Sequence, residues 1–339
     1  MSKMSNRITK YKKIKRLLSK ENQVKKCGLV PFRYKKIGKG NEGIVYRLDL
    51  KRNLSLSLAV KVMKNDENNR REARNYDLFR EVVLSGKLPH FPLTWESIHC
   101  EEKCHFIDVS EINPEKEKQE WERIKEKECF LLFTELFDGD ADDLLKTEKR
   151  RKRKKELAVS LLFQMMMALK IINDKHLSHG DLHLHNVLYK KLEENEENVK
   201  KKQYFRYVIG DDVYEVKHFS LLFVISDFEK MKPSGTISAH AHDKKWLRTY
   251  VPDITFDKGQ PLNSIYWDLF ILTQSLSYFS KEFKILRNKF LEYTQAYNKT
   301  KTGPSIEDII RDFSSFNKSV ISHKKRNEKE KKSKNTFFL

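Results

Sequence analysis

Hydrophobic positions change period several times along this chain, and each change predicts an element. Ile44-Val45-Tyr46-Arg47-Leu48 reads as a strand. In Leu58-Ala59-Val60-Lys61-Val62, Leu58, Val60 and Val62 share one face while Ala59 and Lys61 share the other. Glu72-Ala73-Arg74-Asn75-Tyr76 opens a helical stretch that runs into Leu88-Pro89-His90-Phe91-Pro92, and Leu131 to Leu136 is a further strand. Residues 157–172 are apolar nearly all round, the pattern of a buried helix, so Met165-Met166-Met167 within it belongs to the core. Leu221 to Ile225 is a short apolar run that reads as a buried strand. Before it, Tyr204 to Ile209 and Asp212 to Val216 flank Gly210-Asp211 and predict a hairpin.

The candidate chemistry lies at the edges of these elements. Directly after the buried helix stands His179-Gly180-Asp181-Leu182-His183-Leu184-His185-Asn186, with an Asp and an Asn five residues apart. Phosphoryl transfer uses such a pair: a carboxylate orients the attacking hydroxyl and accepts its proton, and an amide oxygen helps hold Mg²⁺. Near the start, Gly38-Lys39-Gly40-Asn41-Glu42-Gly43-Ile44-Val45 is a glycine-rich pattern shared with dinucleotide-binding turns and plain hairpins. The strand after Gly43, and Val45 within it, favour a hairpin whose backbone N–H groups face phosphates. Lys61 follows on the next strand, where its ammonium reaches α- and β-phosphates while small Ala59 leaves room for an adenine ring. The plain alternative is a surface lysine on an edge strand. Asp227 ends the apolar run in Ser226-Asp227-Phe228-Glu229, a natural Mg²⁺ ligand bridging β- and γ-phosphates.

In this order, the four elements resemble the eukaryotic-type protein kinase superfamily over residues 32–320. The resemblance implies an α+β, bilobal protein kinase-like fold with a small β-rich N-lobe (about 32–135) and a larger, mainly helical C-lobe (about 136–320). Residues 1–31 are then a basic N-terminal extension, 190–220 a hairpin insert, and 321–339 a basic C-terminal tail. Carried over by position, Lys61 pairs the nucleotide phosphates, Asp181 is the catalytic base, and Asn186 and Asp227 bind metal. Glu72 is the expected partner of Lys61, with Glu81 the alternative. Gly38, Lys39, Gly40, Gly43, Val45 and Ala59 line the nucleotide. The hinge is Leu131 to Leu136, with Thr134 near the gatekeeper position and Glu135 and Leu136 beside adenine. Asp140 or Asp142 faces the ribose, and Asp268 braces the catalytic loop.

Departures from the pattern narrow the resemblance. Asp227 lies 41 positions after Asn186, and the hairpin fills the extra length. The H-x-D-L-H-x-x-N loop with such an insert resembles haspin-like kinases and their relatives in large DNA viruses. Gly180 stands where many kinases carry an Arg that docks an activation-loop phosphate, so the resemblance implies activity without that phosphorylation. Glu229 replaces the usual Gly, which suggests a loop fixed in one state, and no A-P-E motif follows. His183 replaces a Lys that normally approaches the γ-phosphate; it is placed to donate a hydrogen bond there, or simply to pack. The implied activity is ATP- and Mg²⁺-dependent transfer to Ser or Thr of a protein substrate. Two alternatives stand beside it: a basic pseudokinase scaffold, and a small-molecule kinase of the aminoglycoside or choline type. The full glycine-rich loop, the A-V-K strand and Asp268 count against the second.

Charge adds a partner question. The 339 residues carry a formal net charge of +20. It is concentrated in residues 1–36, 146–155 and 324–334, which read either as solvated tails and a loop or as attraction to nucleic acid or an acidic partner. No nucleic-acid-binding motif accompanies it. The sequence reads as lacking both a membrane-spanning run and a signal peptide's apolar segment, so the expected setting is soluble and intracellular, without membrane contact. For a viral protein that setting is host cytoplasm or the virion. Cysteines 27, 100, 104 and 129 imply no disulfide framework and are expected as reduced thiols. His99-Cys100 and Cys104-His105 make only a zinc half-site with no second pair.

Overall fold

The computed structural model describes residues 3–20, 32–39, 43–50, 57–101, 122, 128–192, 203–236, 264–326 and 336–339. The chain divides into two compact units: Met1–Ser85 with Pro92–Phe137, and Gly86–Phe91 with Asp138–Leu339.

The first unit is built on an antiparallel sheet of order β1-β2-β3-β5-β4. Its strands are β1 (Phe32–Lys39), β2 (Gly43–Leu50), β3 (Ser57–Met63), β4 (Thr94–Cys100) and β5 (Cys129–Glu135). The alternation in β3 does what its pattern predicts: Leu58, Val60 and Val62 are fully buried, and Lys61 is only half-buried. Helix α2 (Glu67–Leu84) packs against β4 and β5 and is started by Asp66, whose side chain accepts from the Asn69 N–H.

Two expectations need correcting in this unit. Residues 3–20 of the basic N-terminal extension are a helix, α1 (Lys3–Lys20), and not simply a solvated tail. Tyr11 and Ile14 are buried, the Trp95 indole donates to the Tyr11 carbonyl at 3.0 Å, and the two rings stack at 5.9 Å. Apolar positions spaced along one face of α1 give it something to bury, which a wholly polar basic segment lacks. Second, Cys100 and Cys129 are disulfide-bonded, not reduced. They sit directly opposite each other on antiparallel β4 and β5, a separation that a disulfide spans, and the bond removes Cys100 from any zinc half-site. Cys104 and His105 lie outside the described residues.

The second unit surrounds α4 (Arg151–Asp174), which follows the short α3 (Ala141–Thr147). Residues Leu157 to Ile172 of α4 are buried without a break. Contrary to the sequence expectation, this helix is long and apolar enough to cross a membrane, yet 89% of its apolar window is buried inside the fold. It is a core helix. Helices α5 (Ile265–Leu276), α6 (Lys281–Thr300) and α7 (Ile306–Phe316) complete the helical part. Short strands β6 (Gly139–Asp140), β8 (Val187–Lys191) and β11 (Leu221–Ile225) form one sheet, and β7 (Leu177–Ser178) pairs with β12 (Lys232–Pro233).

Between β8 and β11 the chain makes the hairpin read from Gly210-Asp211: β9 (Tyr204–Ile209) pairs with β10 (Asp212–Lys217). The stretch expected as a basic tail extends this hairpin into a sheet of order β13-β10-β9-β14, through β13 (Ile321–Lys325) and β14 (Thr336–Phe338). Asp212 holds β13 through His323 at 2.8 Å and Lys325 at 2.9 Å. The sheet packs on α4 through Phe163, which meets Tyr207 at 5.8 Å and Tyr214 at 5.6 Å. Fully buried His90 ties it in, with ring nitrogens 2.8 Å from the Phe223 carbonyl and 2.7 Å from the Tyr207 hydroxyl. Among the described residues, seven α-helices and largely antiparallel sheets make a mixed α and β fold.

Candidate active site

In the first unit, β3 places Lys61 opposite Val45 of β2 and Leu132 of β5, and Ala59 opposite Thr134. The Lys61 ammonium reaches across to α2 and lies 2.8 Å from each carboxylate oxygen of Glu72, which is fully buried. The alternative partner, Glu81, is exposed and meets Arg80 instead. Helical spacing explains the choice. Glu72 lies on the buried face of α2 with Ala73, Tyr76 and Phe79, and Glu81 on the opposite side.

Gly43 owes its identity to the sheet: a Cβ there would stand 2.8 Å from the Val62 carbonyl oxygen of β3. Gly38 follows an irregularity in the β1–β2 register and Lys39 ends β1, while Gly40 lies outside the described residues. Glu135, expected beside adenine, has partners within the first unit. Its N–H is taken by the Leu93 carbonyl at 3.0 Å, and its carboxylate is buried against Arg7 of α1 at 2.7 Å. Those two polar groups therefore hold the fold. Thr134 is half-buried near the end of β5, and half-buried Leu136 follows the strand.

In the second unit, Asp268 of α5 organises the loop that begins at Ser178. Its buried carboxylate accepts from Ser178 Oγ at 3.0 Å, from the His179 N–H at 2.8 Å and from the Gly180 N–H at 2.8 Å. Burial pushes this carboxyl up to about 7, outweighing three hydrogen bonds that favour the anion. Gly180 has φ +84°, a conformation that L side chains rarely adopt. That backbone demand explains why Gly stands here.

His179 is buried and held on both ring nitrogens. Its Nε2 lies 2.9 Å from the Ser226 carbonyl, and its Nδ1 faces the Asp181 N–H at 3.3 Å, a set that fits the neutral Nε2–H tautomer. Desolvation lowers its pKa, which agrees with that assignment. Its ring meets the edge of buried Phe228 at 5.7 Å, and Phe228 in turn meets Phe91 at 6.5 Å.

Asn186 donates through Nδ2 to the Asp181 carbonyl at 2.8 Å, which aims its amide oxygen away from that bond. Its own carbonyl accepts from Ser226 N–H at 2.9 Å and Ser226 Oγ at 3.0 Å. The β8–β11 pairing begins at Val187 opposite Ile225, so Asn186 and Asp227 flank the same end of one strand pair despite the long insert. Asp227 takes φ +62°, a left-handed conformation uncommon outside glycine and frequent at functional sites.

Sequence reasoning missed Lys230. Its ammonium stands 2.8 Å from Asp181 Oδ2, closer than His183 Nε2 at 3.9 Å. A turn closed by Met231 N–H on the Phe228 carbonyl, then the pairing of β12 with β7, returns Lys230 to the loop. In a chain so rich in lysine, only its place three residues after Asp227 signalled it. Desolvation lowers the pKa of His183, so burial favours a neutral ring there. Asp140 caps α3 by accepting from the Asp143 N–H, Asp142 pairs with Lys146, and His185 lies 3.4 Å from both carboxylates.

Among the described residues, no group of three or more His, Cys, Asp or Glu is placed to hold a metal alone. The oxygen donors of Asn186 and Asp227 do fit Mg²⁺, which usually takes one or two protein oxygens and completes its shell with phosphates and water. Compared with known proteins, the chain matches no family model and no curated protein.

Proposed function

We propose that this protein is an ATP- and Mg²⁺-dependent protein kinase acting on Ser or Thr, with the first unit as the small lobe and the second as the large lobe of a kinase-like fold. The observation that carries the reading is the pairing of Lys61 with fully buried Glu72. A lysine held bidentately on a central strand is a fixed cation, suited to nucleotide phosphates. The loop built around Asp268 supports the same reading.

Each residue then has a task. Asp181 orients the substrate hydroxyl and takes its proton. His179 fixes the Asp181 backbone, and Asn186 locks the loop by its bond to the Asp181 carbonyl. Asn186 and Asp227 would hold Mg²⁺, which supplies charge neutralisation on the transferred phosphate when bound. Lys230 supplies a cation beside Asp181, the service that Lys at position 183 would otherwise give. Gly180 leaves this loop without a basic side chain at that position, so activity needs no phosphate docked there. Residues 237–263, where an activation-loop phosphosite would fall, lie outside the described residues.

The test is transfer of radiolabelled phosphate from ATP with Mg²⁺ to acidic and basic protein substrates, beside Asp181→Asn and Asp227→Asn. Transfer by the unmodified protein alone is expected. Equal background in all three, with tight salt-sensitive binding to nucleic acid, overturns the proposal in favour of a basic scaffold.

A further inference from the structure

The basic run at residues 146–155 belongs to a groove in the second unit. This groove, of about 610 Å³, lies where the α3–α4 connection meets the far end of the β8–β11 pair. Its lining includes the apolar side chains of Leu144, Leu157, Leu192 and Phe219. Lys149, Arg150, Arg153 and Lys191 line it as well, and all four are exposed. One acid, Glu148, stands among them, accepting from the Arg150 N–H at 2.9 Å and meeting Arg153 at 3.2 Å.

The groove is thus cationic at its rim with apolar side chains beside it. The first turn of α4 adds to this: it contains no acidic residue, and Arg150 gives no side-chain cap. The Glu148 carboxylate on the Arg150 N–H offsets part of the positive potential at this helix end, and the four cations stand against that single acid. The wall opposite is held in a costly backbone. Phe219 and Ser220 take φ +50° and +60°, pinned by the Leu192 N–H on the Ser220 carbonyl at 2.8 Å. Two successive non-glycine residues in this region are the kind of strain that persists where shape matters.

From these features we infer that the groove docks an acidic peptide segment carrying leucine-like side chains. A volume of this size takes a few side chains, within the common range of ligand pockets. Acidic groups match the excess of cations over Glu148, which already meets Arg150 and Arg153, and aliphatic groups match the leucines. Nucleic acid fits less well: Phe219, the aromatic ring in the lining, is already faced by the Lys217 ammonium at 4.9 Å. The groove stands about 13 Å along β8 from the Asn186 end, at roughly 3.3 Å per residue, so it is separate from the candidate active site. Docking here does not depend on the proposed catalysis.

Fluorescence anisotropy of the full chain, without nucleotide, tests this with a labelled peptide of alternating acidic residues and leucines. Arg150→Glu/Arg153→Glu and Lys149→Glu/Lys191→Glu alter exposed positions, so circular dichroism should match the unmodified protein. Each is expected to weaken binding at least tenfold. The same charge change on α6, Lys284→Glu/Lys299→Glu, is expected to leave it within twofold, and replacing the peptide leucines by serine to weaken it. No binding, equal loss in the α6 variant, or indifference to the leucines overturns the inference. So does a single-stranded oligonucleotide that competes for the groove more tightly than the peptide.

Discussion

Lys230 places its ammonium 2.8 Å from Asp181 Oδ2, so the carboxylate proposed as catalytic base has a cation of its own at its side. The pair joins the loop after β7 to the turn before β12, and neither strand alone explains it. In the proposed reaction, this cation is available to the phosphate arriving at Asp181. Lys230→Ala is expected to lower kcat by about 100-fold, the scale seen when one electrostatic donor is lost, with Lys230→Arg recovering part of it. The melting temperature should barely move, since Lys230 is exposed. An unchanged kcat in steady-state assays would assign Lys230 to the surface.

The Lys61–Glu72 pair separates stability from chemistry. Lys61→Met takes the ammonium from a fully buried carboxylate, a change that costs about 3 kcal/mol and removes the cation proposed to meet the phosphates. The double variant Lys61→Met/Glu72→Leu should recover most of the stability in denaturant titrations while remaining inactive. Activity in the double variant would sink the assigned role.

Asp268 predicts a pH signature. Its folded pKa of about 7 lies above the ordinary aspartate value of 3.8, so the folded state binds the extra proton between those limits. Its contribution to stability is therefore full below about pH 4 and is lost as pH rises through about 7. His179 titrates in the opposite sense: its lowered pKa costs stability as pH falls below its ordinary range. Comparing the unmodified protein with Asp268→Asn cancels the His179 effect. The difference in unfolding free energy should change with pH by up to roughly 1 kcal/mol per unit between about pH 5 and 7. A flat difference would place the charged carboxylate in the fold.

The Cys100–Cys129 bond closes a long loop between β4 and β5. Reduction, or Cys100→Ser/Cys129→Ser, is expected to destabilise the first unit by about 3 kcal/mol, mainly by freeing the unfolded chain. Thermal melts with and without reductant measure it, and the double serine variant should be insensitive to reductant. Identical melts for the two proteins would show that the bond contributes nothing.

Much of the frame is legible in the order of residues along the chain. Period-two alternation marks β3 with Ala59 and Lys61 on one face, the unbroken apolar run marks α4, and Gly-Asp between β-branched and aromatic runs marks the β9–β10 hairpin. These are local signals, set by which side chains each segment must bury. The motif residues are legible for a related reason, because the chemistry proposed for them restricts residue type and spacing within short stretches.

What the sequence leaves open depends on partners far along the chain. Glu72 and Glu81 are both glutamates on one helix, and only packing of α2 decides which one is buried beside Lys61. Nothing near Glu135 in the chain signals that Arg7, from a helix more than a hundred positions earlier, covers its carboxylate. Cys100 meets Cys129 because β4 and β5 pair in that register, across a charged insert that hides the relationship. Lys230 is one lysine among many until β12 brings it back to Asp181. Sequence alone determined many of the elements and the chemical types, since burial and backbone preference act locally, but not α1, β13 or β14, whose apolar faces are covered by distant segments. Tertiary structure decided which charge meets which, because that depends on strand register and helix packing between distant segments.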